Sequence, residues 1–458
     1  MGSPRNGVEG FVNIRRLLYI SNVVVSRIFS VILLCFWSTW LWNFAFRTVI
    51  PALTPVVQAD LSLTGTEVGV VIGVVYAGFS ASSIFAWKAA EKIGKRKTII
   101  ASILVPSITS MPLLLLKDYM PLLAALFVTG LGLGLYLPNA LSTLSQIYPE
   151  QRRGRVMGIH ETAAPLGQGV GPLVAGVLLI SRVSWTNILV IWSLVAAPLM
   201  MIYVSLKMPE NVDQGGEEAR VGENPFSYRK TLLIILSATG VGSLQGYVFM
   251  MPLYMTSNLK LDAAFAAIVF GAARITGVAG MVGGGWFSDV FGRFRMLLLN
   301  TALAIVFALL LLTLKFNMAF VVVLAFFTVF QMAFWPIFFS GISDVTPPRE
   351  RVKALGLAVA SSTAIGAGLF PPVMGLLADM YGMRIALVTP AIFSTCSLVG
   401  VSLLSHSRMK TSQTTRRPRK TKGLMGATQM VIASLSYSCI RLYRVTLAFC
   451  SKRERWNC

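Results

Sequence analysis

The sequence predicts an all-α membrane protein with twelve transmembrane helices, arranged as two six-helix bundles that are related by internal duplication. Three observations support this prediction. Hydrophobic residues make up 55% of the 458 residues and charged residues only 13%, whereas a soluble domain carries about 25% charged residues. Apolar runs of membrane-spanning length alternate with short charged turns. Two of those turns are copies of one another.

The duplication has an offset of 198 residues, which is the separation of Asp289 from Glu91. The turn at 285–295 thereby superposes on the turn at 87–97. The same offset aligns further glycine, proline and basic positions: Gly94 with Gly292, Pro149 with Pro347, Arg153 with Arg351, and Gly158 with Gly356. An internal repeat has to be recognised first because it determines the assignment of the whole fold.

Twelve runs have the length of roughly 20 mainly apolar residues that a membrane helix needs. Six precede the hydrophilic stretch Lys207–Lys230 and six follow it, at about 29–57, 66–87, 98–116, 119–147, 155–181, 184–206, 231–257, 263–287, 296–315, 318–344, 353–379 and 383–405. The predicted organisation is an N-terminal segment 1–28, a first bundle 29–206, a flexible linker 207–230, a second bundle 231–405 and a basic tail 406–458.

The placement of lysine and arginine predicts the orientation. With a cytoplasmic N-terminus, 33 of the 40 basic residues fall in cytoplasmic segments and 5 in the outer loops. We therefore expect a multi-pass protein of the cell membrane with both termini in the cytoplasm. For the tail, an amphipathic helix on anionic lipid and a solvated segment without a specific role both remain open.

Other partners and activities are disfavoured by the sequence. The net charge of +22 would suit nucleic acid, but base-rich and base-poor segments alternate along the chain, which nucleic-acid binding does not predict. The five cysteines form no CxxC pair and have no metal-ligand spacing. No nucleophile–base grouping is visible either. We expect the lipid bilayer as the environment, no cofactor, no metal, no enzymatic activity and a monomer.

The turn at 285–295 carries the pattern Gly-x-x-x-Asp-x-x-Gly-Arg, formed by Gly285, Asp289, Gly292 and Arg293. This pattern and its copy resemble the signature of the major facilitator superfamily, over about residues 25–405. In the copy, Gly94, Lys95 and Arg96 match, Glu91 replaces the aspartate and Trp87 stands at the first glycine. The resemblance implies two bundles that rock around a site at the membrane midplane, giving alternating access.

We expect this turn to act as a gate at the cytoplasmic side. A carboxylate at a helix end can face the positive N-terminal dipole of a helix in the other bundle, and glycine permits the tight turn. The predicted gate residues are Glu91, Gly94, Arg96, Gly285, Asp289, Gly292 and Arg293. For the neighbouring bases Lys95, Lys97 and Arg295, ordinary anchoring at the headgroups is the preferred interpretation.

Ionisable residues inside apolar spans are costly and usually functional, and four stand out: Arg47, His160, Glu161 and Arg274. By the 198 offset, Arg47 corresponds to Gln245 and Arg274 to Tyr76. The resemblance places the four offset-related positions, Arg47, Gln245, Tyr76 and Arg274, on cavity-lining helices. Because arginine keeps its charge and binds carboxylates in a bidentate fork, the hypothesis is an anionic substrate between Arg47 and Arg274. The alternative is an internal ion pair with Glu161.

Further polar residues complete the predicted substrate site. Asn43 lies one turn before Arg47, and the fourth and tenth helices add Tyr136 with Asn139 and Gln331 with Trp335 at helical spacings that share a face. Helix–helix packing is the alternative role for these side chains. Glu161 is the candidate for the coupling proton, with His160 as its partner, and a packing role near the cytoplasmic mouth is the alternative.

The leading functional hypothesis is a proton-coupled secondary transporter of a small organic anion, working by symport, although anion exchange fits equally well. The sub-family resemblance is to organic anion symporters and to monocarboxylate or oxalate carriers, on single arginine positions. A drug/proton antiporter is the alternative within the same fold, supported by abundant aromatic and methionine residues. A non-transporting receptor is a third possibility, but such a protein would not need two gate copies.

Overall fold

The computed structural model describes residues 6–115, 118–205, 228–346 and 350–413. These residues form twelve helical elements: α1 Asn6–Leu61; α2 Gly65–Ile93; α3 Lys95–Thr109; α4 Tyr119–Gly134 with Tyr136–Ile147; α5 Glu150–Glu161 with Ala163–Ile180; α6 Trp185–Val195 with Ala197–Ser205; α7 Tyr228–Ser257; α8 Ala263–Ile275 with Gly277–Phe291; α9 Arg293–Leu311; α10 Met318–Val345; α11 Arg351–Ser361, a π-helical stretch Ser362–Leu369 and Phe370–Tyr381; and α12 Met383–Phe393 with Thr395–Gln413.

The prediction of an all-helical membrane fold is confirmed. In the described part of the chain, 11 helices, α2 to α12, are long and apolar enough to cross a membrane, and the first predicted span, 29–57, lies inside α1. The two-bundle duplication and the cytoplasmic termini stay predictions. The chain divides into two compact units, Met1–Ser407 and Arg408–Cys458, and the candidate site belongs to the first. Residues 206–227 of the linker region and 414–458 of the tail lie outside the described residues.

Helix ends differ from the predicted spans where polar residues continue a helix. The helix α1 begins at Asn6 rather than near 29, and α12 continues to Gln413 rather than ending near 405. Hydropathy locates the segment that lipid can surround, whereas a helix ends where its backbone hydrogen bonding ends. The two limits need not coincide at the membrane surface.

Three helix starts, at turns that carry few bases, are capped by side chains. Thr64 and Glu67 form a capping box at the start of α2. Asp262 accepts hydrogen bonds from the Ala264 and Phe265 amides at the start of α8, at 2.8 and 3.3 Å. Asn317 caps α10. Each cap satisfies amide groups that the first helical turn leaves without an intrahelical acceptor.

Close helix crossings are made by glycine. Lipid gives little hydrophobic drive for helices to associate, so small residues that let backbones approach are favoured. On α4, a Cβ added at Gly130 would lie 2.1 Å from the Val75 carbonyl of α2, and on α5 one at Gly171 would lie 2.4 Å from the Ala45 carbonyl of α1. These crossings hold α4 against α2 and α5 against α1.

Contacts between the first six and the last six helices concentrate toward one membrane face. We call it the Gly65 face, where α2 begins and α11 ends, and we call the opposite one the Gly94 face. Near the Gly65 face, Gly69 of α2 packs on the Pro371 carbonyl of α11, and Gly176 of α5 packs on the Ala264 carbonyl of α8. The candidate site lies deeper along the same helices.

The crossing of α8 with α10 gives a test of this packing. A Cβ at Gly280 would lie 2.1 Å from the Val329 carbonyl, whereas one at Gly283 would meet only Phe287 ring atoms at 3.8 Å. We expect Gly280→Ala to destabilise the protein by about 1–3 kcal/mol because the helices must separate, and Gly283→Ala to leave stability unchanged or slightly higher. Thermal unfolding of both variants in detergent measures the difference. Equal melting temperatures for the two would contradict the described crossing.

Candidate functional site

Arg47 is buried in α1 with its charge surrounded by aromatic rings. Its side chain is 4% exposed, its Nε donates to the Asn43 carbonyl at 3.4 Å, and its Nη2 has no hydrogen-bond partner. The guanidinium carbon lies 4.1 Å from the centre of the Phe44 ring and 4.3 Å from that of Phe79. Trp40 and Tyr76 follow at 5.6 and 5.8 Å.

This aromatic cage was not predicted from the sequence, although a signal for it exists. Trp40, Phe44 and Arg47 stand at i, i+4 and i+7, which places them on one face of α1. Cation–π attraction stabilises a guanidinium without removing its charge. The cage therefore makes a buried arginine tolerable while its Nη2 remains a donor without a hydrogen-bond partner.

Arg274 of α8 is held by amide side chains. It is 1% exposed. Its Nη1 donates to Gln331 Oε1 at 3.1 Å, its Nη2 donates to Gln168 Oε1, and its Nε has no partner. Gln331 in turn donates from Nε2 to Gln245 Oε1 at 2.9 Å. Gln168 was not predicted from the sequence, because it is a lone polar side chain among the glycines and prolines of α5.

Tyr76 of α2 connects the two arginine surroundings. Its ring stacks on Phe249 of α7 with centroids 4.9 Å apart, the Arg47 guanidinium carbon lies 5.8 Å from its ring centre, and Arg274 lies within electrostatic range of it. The positions that the 198 offset pairs, Arg47 with Gln245 and Tyr76 with Arg274, are thus linked in one region by ring contacts, hydrogen bonds and electrostatic interaction.

Neither arginine is neutralised by a carboxylate in the described part of the chain. The ion pairs found there are His160–Glu161, Arg293–Asp289 and Arg293–Asp344. Glu161 influences Arg47 electrostatically, but it makes its closest polar contact with His160 Nδ1, at 3.1 Å. The predicted alternative, an internal pair of an arginine with Glu161, is therefore not formed in this conformation.

His160 and Glu161 belong to a cluster that adjoins the arginine region through Trp40. The Trp40 indole stacks on His160 at 5.8 Å, and its N–H points at Glu161 Oε2 at 3.4 Å. Tyr136 lies 3.2 Å from His160 Nε2 and donates from its hydroxyl to the Phe36 carbonyl at 2.6 Å. Because Trp40 also contacts Arg47, one side chain touches both groups of residues.

The remaining predicted site residues have local partners. Asn43 donates to the Leu133 carbonyl at 3.0 Å while its Oδ1 has no partner. Asn139 donates to the Ala86 and Leu135 carbonyls. Trp335 packs edge-on against Phe334. Of these, Asn43 alone presents an unsatisfied buried atom.

The predicted gate residues lie at the Gly94 face. Gly94 and Gly292 have φ of 86° and 93°, values that favour glycine. Asp289 is 68% exposed and lies 3.5 Å from Arg293 Nη2 of its own turn. Glu91 is exposed and makes no hydrogen bond or ion pair to another described residue.

The basic gate residues contact helices of their own half of the chain. Arg96 donates to the Tyr203 and Val204 carbonyls at the end of α6. Arg293 pairs with Asp344 of α10, Nη1 to Oδ1 at 2.5 Å. A Cβ at Gly285 would meet nothing within 4 Å. In this conformation the described gate residues do not join the first six helices to the last six.

The fold and the site together define a many-helix membrane protein with uncompensated positive charge in its interior. Comparison with known proteins identifies the family. Residues 28–361 and 316–451 match the profile described as Major Facilitator Superfamily. The chain belongs to this superfamily, and the resemblance drawn from its charged turns is confirmed.

Individual relatives are distant. The chain is 23% identical over 259 residues to a hexuronate transporter of Bacillus subtilis, which covers 54% of this chain and 61% of that protein. It is 23% identical over 344 residues to a gentisate transporter of Corynebacterium glutamicum, with 69% and 74% covered. A multidrug resistance protein of Vibrio parahaemolyticus is 20% identical over 230 residues, with 48% and 57% covered.

A solved structure shares the fold. A bacterial homolog to the human lysosomal transporter Spinster, in an inward-facing and unoccupied conformation, superposes with a TM-score of 0.71 at 16% identity. The match covers 83% of this chain and 98% of that one.

The amide network around Arg274 gives a double-mutant test. Gln331→Leu removes an acceptor from a buried guanidinium, and we expect a loss of about 1–3 kcal/mol because a polar group left unsatisfied bears its full desolvation cost. In an Arg274→Met background the same change should cost less, since no charge remains to be satisfied. Thermal unfolding of the four proteins measures the coupling. A purely additive cycle would contradict the described hydrogen bond.

Proposed function

We propose that this protein is a secondary active transporter that moves a small organic anion of the carboxylate type across the membrane by alternating access, coupled to protons by symport. The observation that carries the proposal is the pair of buried arginines, Arg47 and Arg274, whose charges are not balanced by a carboxylate among the described residues. An anionic substrate would supply the missing negative charge.

The available atoms favour an anion over a neutral solute. Arg47 Nη2, Arg274 Nε and Asn43 Oδ1 are buried without partners. Two of these are donors on permanent cations, which bind carboxylate oxygens in short, charge-assisted hydrogen bonds. In surroundings of low dielectric such pairing is much stronger than in water. The relatives named as hexuronate and gentisate transporters are consistent with an organic acid as the substrate.

In the proposed mechanism the substrate is bound by residues from both halves of the chain. Arg47, Asn43, Tyr76, Tyr136 and Asn139 come from the first six helices, and Arg274, Gln245, Gln331 and Trp335 from the last six. We place these halves in two six-helix bundles, residues 29–206 and 231–405, with both termini cytoplasmic. An anion held between Arg47 and Arg274 would then link the bundles and bias their relative movement.

Proton coupling is assigned to Glu161 with His160. Protonation of Glu161 would remove the negative charge that acts on Arg47, so the arginine region would bind an anion with fewer competing charges. Trp40, which contacts both Glu161 and Arg47, is positioned to relay this change. The gate at the Gly94 face, with Glu91 and Asp289 as its carboxylates, would close that side in the opposite conformation.

A drug/proton antiporter is the alternative function. The rings around Arg47 and the Tyr76–Phe249 stack form an apolar aromatic surface of the kind that binds flat hydrophobic compounds. The multidrug resistance relative is consistent with it. The two arginines argue against cationic compounds as substrates, because like charges repel strongly in a site of low dielectric.

Uptake into proteoliposomes tests the proposed function. A panel of radiolabelled monocarboxylates and dicarboxylates, offered with an inward proton gradient, should include at least one that accumulates. For that substrate we expect Arg47→Lys and Arg274→Lys to reduce uptake by about tenfold or more, since lysine keeps the charge but loses the planar fork. Asn317→Ala, which removes a helix cap remote from the site, is the control. Full uptake in the Arg47→Ala/Arg274→Ala double variant would contradict the proposal.

Glu161 is tested separately through the pH gradient. With the identified substrate, wild-type uptake should accelerate when the outside is acidified. In Glu161→Gln we expect exchange of internal for external substrate to continue while acceleration by the gradient is lost, because glutamine cannot release a proton. His160→Gln in parallel separates the two candidates. Retention of gradient-driven accumulation in Glu161→Gln would place the coupling proton elsewhere.

A further inference from the structure

A third copy of the gate pattern lies at the opposite membrane face. Gly375, Asp379 and Gly382 repeat the spacing of Gly285, Asp289 and Gly292, at an offset of 90 residues rather than 198. The repeat is also structural: Gly382 has φ of 87° and ends α11, as Gly292 with φ of 93° ends the membrane-spanning part of α8.

The carboxylate of this third copy is engaged with a helix from the other half of the chain. Asp379 Oδ1 accepts from the Gly65 amide at 2.7 Å, and its Oδ2 accepts from the Thr66 amide and hydroxyl at 2.8 and 2.6 Å. These amides belong to the first turn of α2, where the helix dipole favours a negative charge. The Thr64 cap of α2 serves the Glu67 amide instead, so Asp379 supplies acceptors that the local cap does not.

The backbones beneath this contact are pressed together. A Cβ added at Gly375 would lie 2.1 Å from the Gly65 carbonyl, and one at Gly65 would lie 2.6 Å from Asp379 Oδ1. The carboxylate reaches both amides because neither glycine has a side chain. Separation of α2 from α11 at this face would therefore break all three hydrogen bonds together.

The equivalent junction between α5 and α8 lacks such a contact among the described residues. By the 198 offset, Asp379 corresponds to Ser181 and the cap Thr64 corresponds to Asp262. Asp262 caps its own helix by accepting from the Ala264 and Phe265 amides. The sequence thus supplies an interhelix carboxylate at the α2–α11 junction and only a local cap at the start of α8.

We infer that Asp379 and the first turn of α2 form a latch that closes the Gly65 face, and that it alternates with the Gly94-face gate of Asp289 and Glu91. All three carboxylates are exposed, but in the described conformation only Asp379 among them is hydrogen-bonded across the two halves, while Asp289 pairs with Arg293 of its own turn. The same glycine–carboxylate turn thus occurs at both faces: at the Gly65 face it contacts the other half of the chain, whereas at the Gly94 face the described turn residues contact only helices of their own half. Opening the Gly65 face requires Asp379 to release α2.

The latch rests on the alternating access proposed above. Distance measurements between spin labels test it without any substrate, so their outcome is independent of the proposed anionic substrate and proton coupling. The full chain, with its five cysteines replaced by serine, carries one label pair per face: Ser181→Cys with Asn258→Cys near the Gly65 face, and Lys92→Cys with Phe291→Cys near the Gly94 face. All four positions are exposed. Pulsed electron paramagnetic resonance in lipid nanodiscs then reports the populations that are open at each face.

In the Asp379→Asn variant we expect the ratio of Gly65-face-open to Gly65-face-closed molecules to rise roughly two- to five-fold, the range that corresponds to losing a favourable charge at an exposed helix N-terminus. Thr66→Val, which keeps both amides and loses the hydroxyl, should shift the ratio in the same direction by less. Thr66→Val also tests the latch on its own if Asp379→Asn does not fold. Asp289→Asn is the matched control and should shift the ratio the other way.

If Asp379→Asn folds, unchanged distance distributions in both Asp379→Asn and Thr66→Val would overturn the latch. If it does not fold, unchanged distributions in Thr66→Val alone would overturn it. A shift of Asp289→Asn in the same direction as Asp379→Asn would also overturn it, because the two carboxylates would then not act at alternate faces.

Discussion

The interior of this protein is arranged around two buried guanidinium groups, those of Arg47 and Arg274, which have to be stabilised in apolar surroundings. A guanidinium in apolar surroundings is costly unless charge or hydrogen bonds compensate it. Arg47 is stabilised by the faces of aromatic rings, and Arg274 by amide oxygens. Both solutions stabilise the side chain without removing its charge. The helices that supply these partners, α1, α2, α5 and α10, are the ones that close around the interior.

This arrangement connects binding with conformation. Arg274 of α8 donates to Gln168 of α5 and to Gln331 of α10, so it already joins helices from both halves of the chain. An anion between Arg274 and Arg47 would add a second connection of the same kind. Glycine crossings at α2–α11 and α5–α8 then allow the halves to meet closely at the Gly65 face. In the inferred latch, the carboxylate turn at each face sets the free energy that is needed to separate the two halves there.

Much of this could be predicted from the sequence. Hydropathy located the spans, and the 198 offset selected Arg47, Gln245, Tyr76 and Arg274, which the structure links in one region. The role of the predicted site residues stays a prediction. The aromatic cage was missed because Trp40, Phe44 and Phe79 are common core residues, and the helical spacing of Trp40 and Phe44 with Arg47 is equally typical of ordinary core packing. Gln168 was missed because a contact between α5 and α8 depends on tertiary packing.

The Asp379 turn was missed for a different reason. The internal duplication relates positions 198 residues apart, whereas this turn is separated from Asp289 by 90 residues and lies at the opposite membrane face. A contact between a carboxylate and a helix dipole was expected for Asp289 and Glu91. In the described conformation that contact is made by Asp379, since this is the face at which the helices meet.

Thermal stabilisation of the purified protein by matched ligand pairs tests most directly whether the two arginines bind an anion. Each pair is a small carboxylate and its neutral amide of nearly the same shape. A ligand that binds the folded state raises the melting temperature in a concentration-dependent way. We expect stabilisation by at least one carboxylate, none by its amide, and loss of the effect in Arg47→Ala. Equal stabilisation by the amides, or stabilisation by organic cations alone, would contradict the claim.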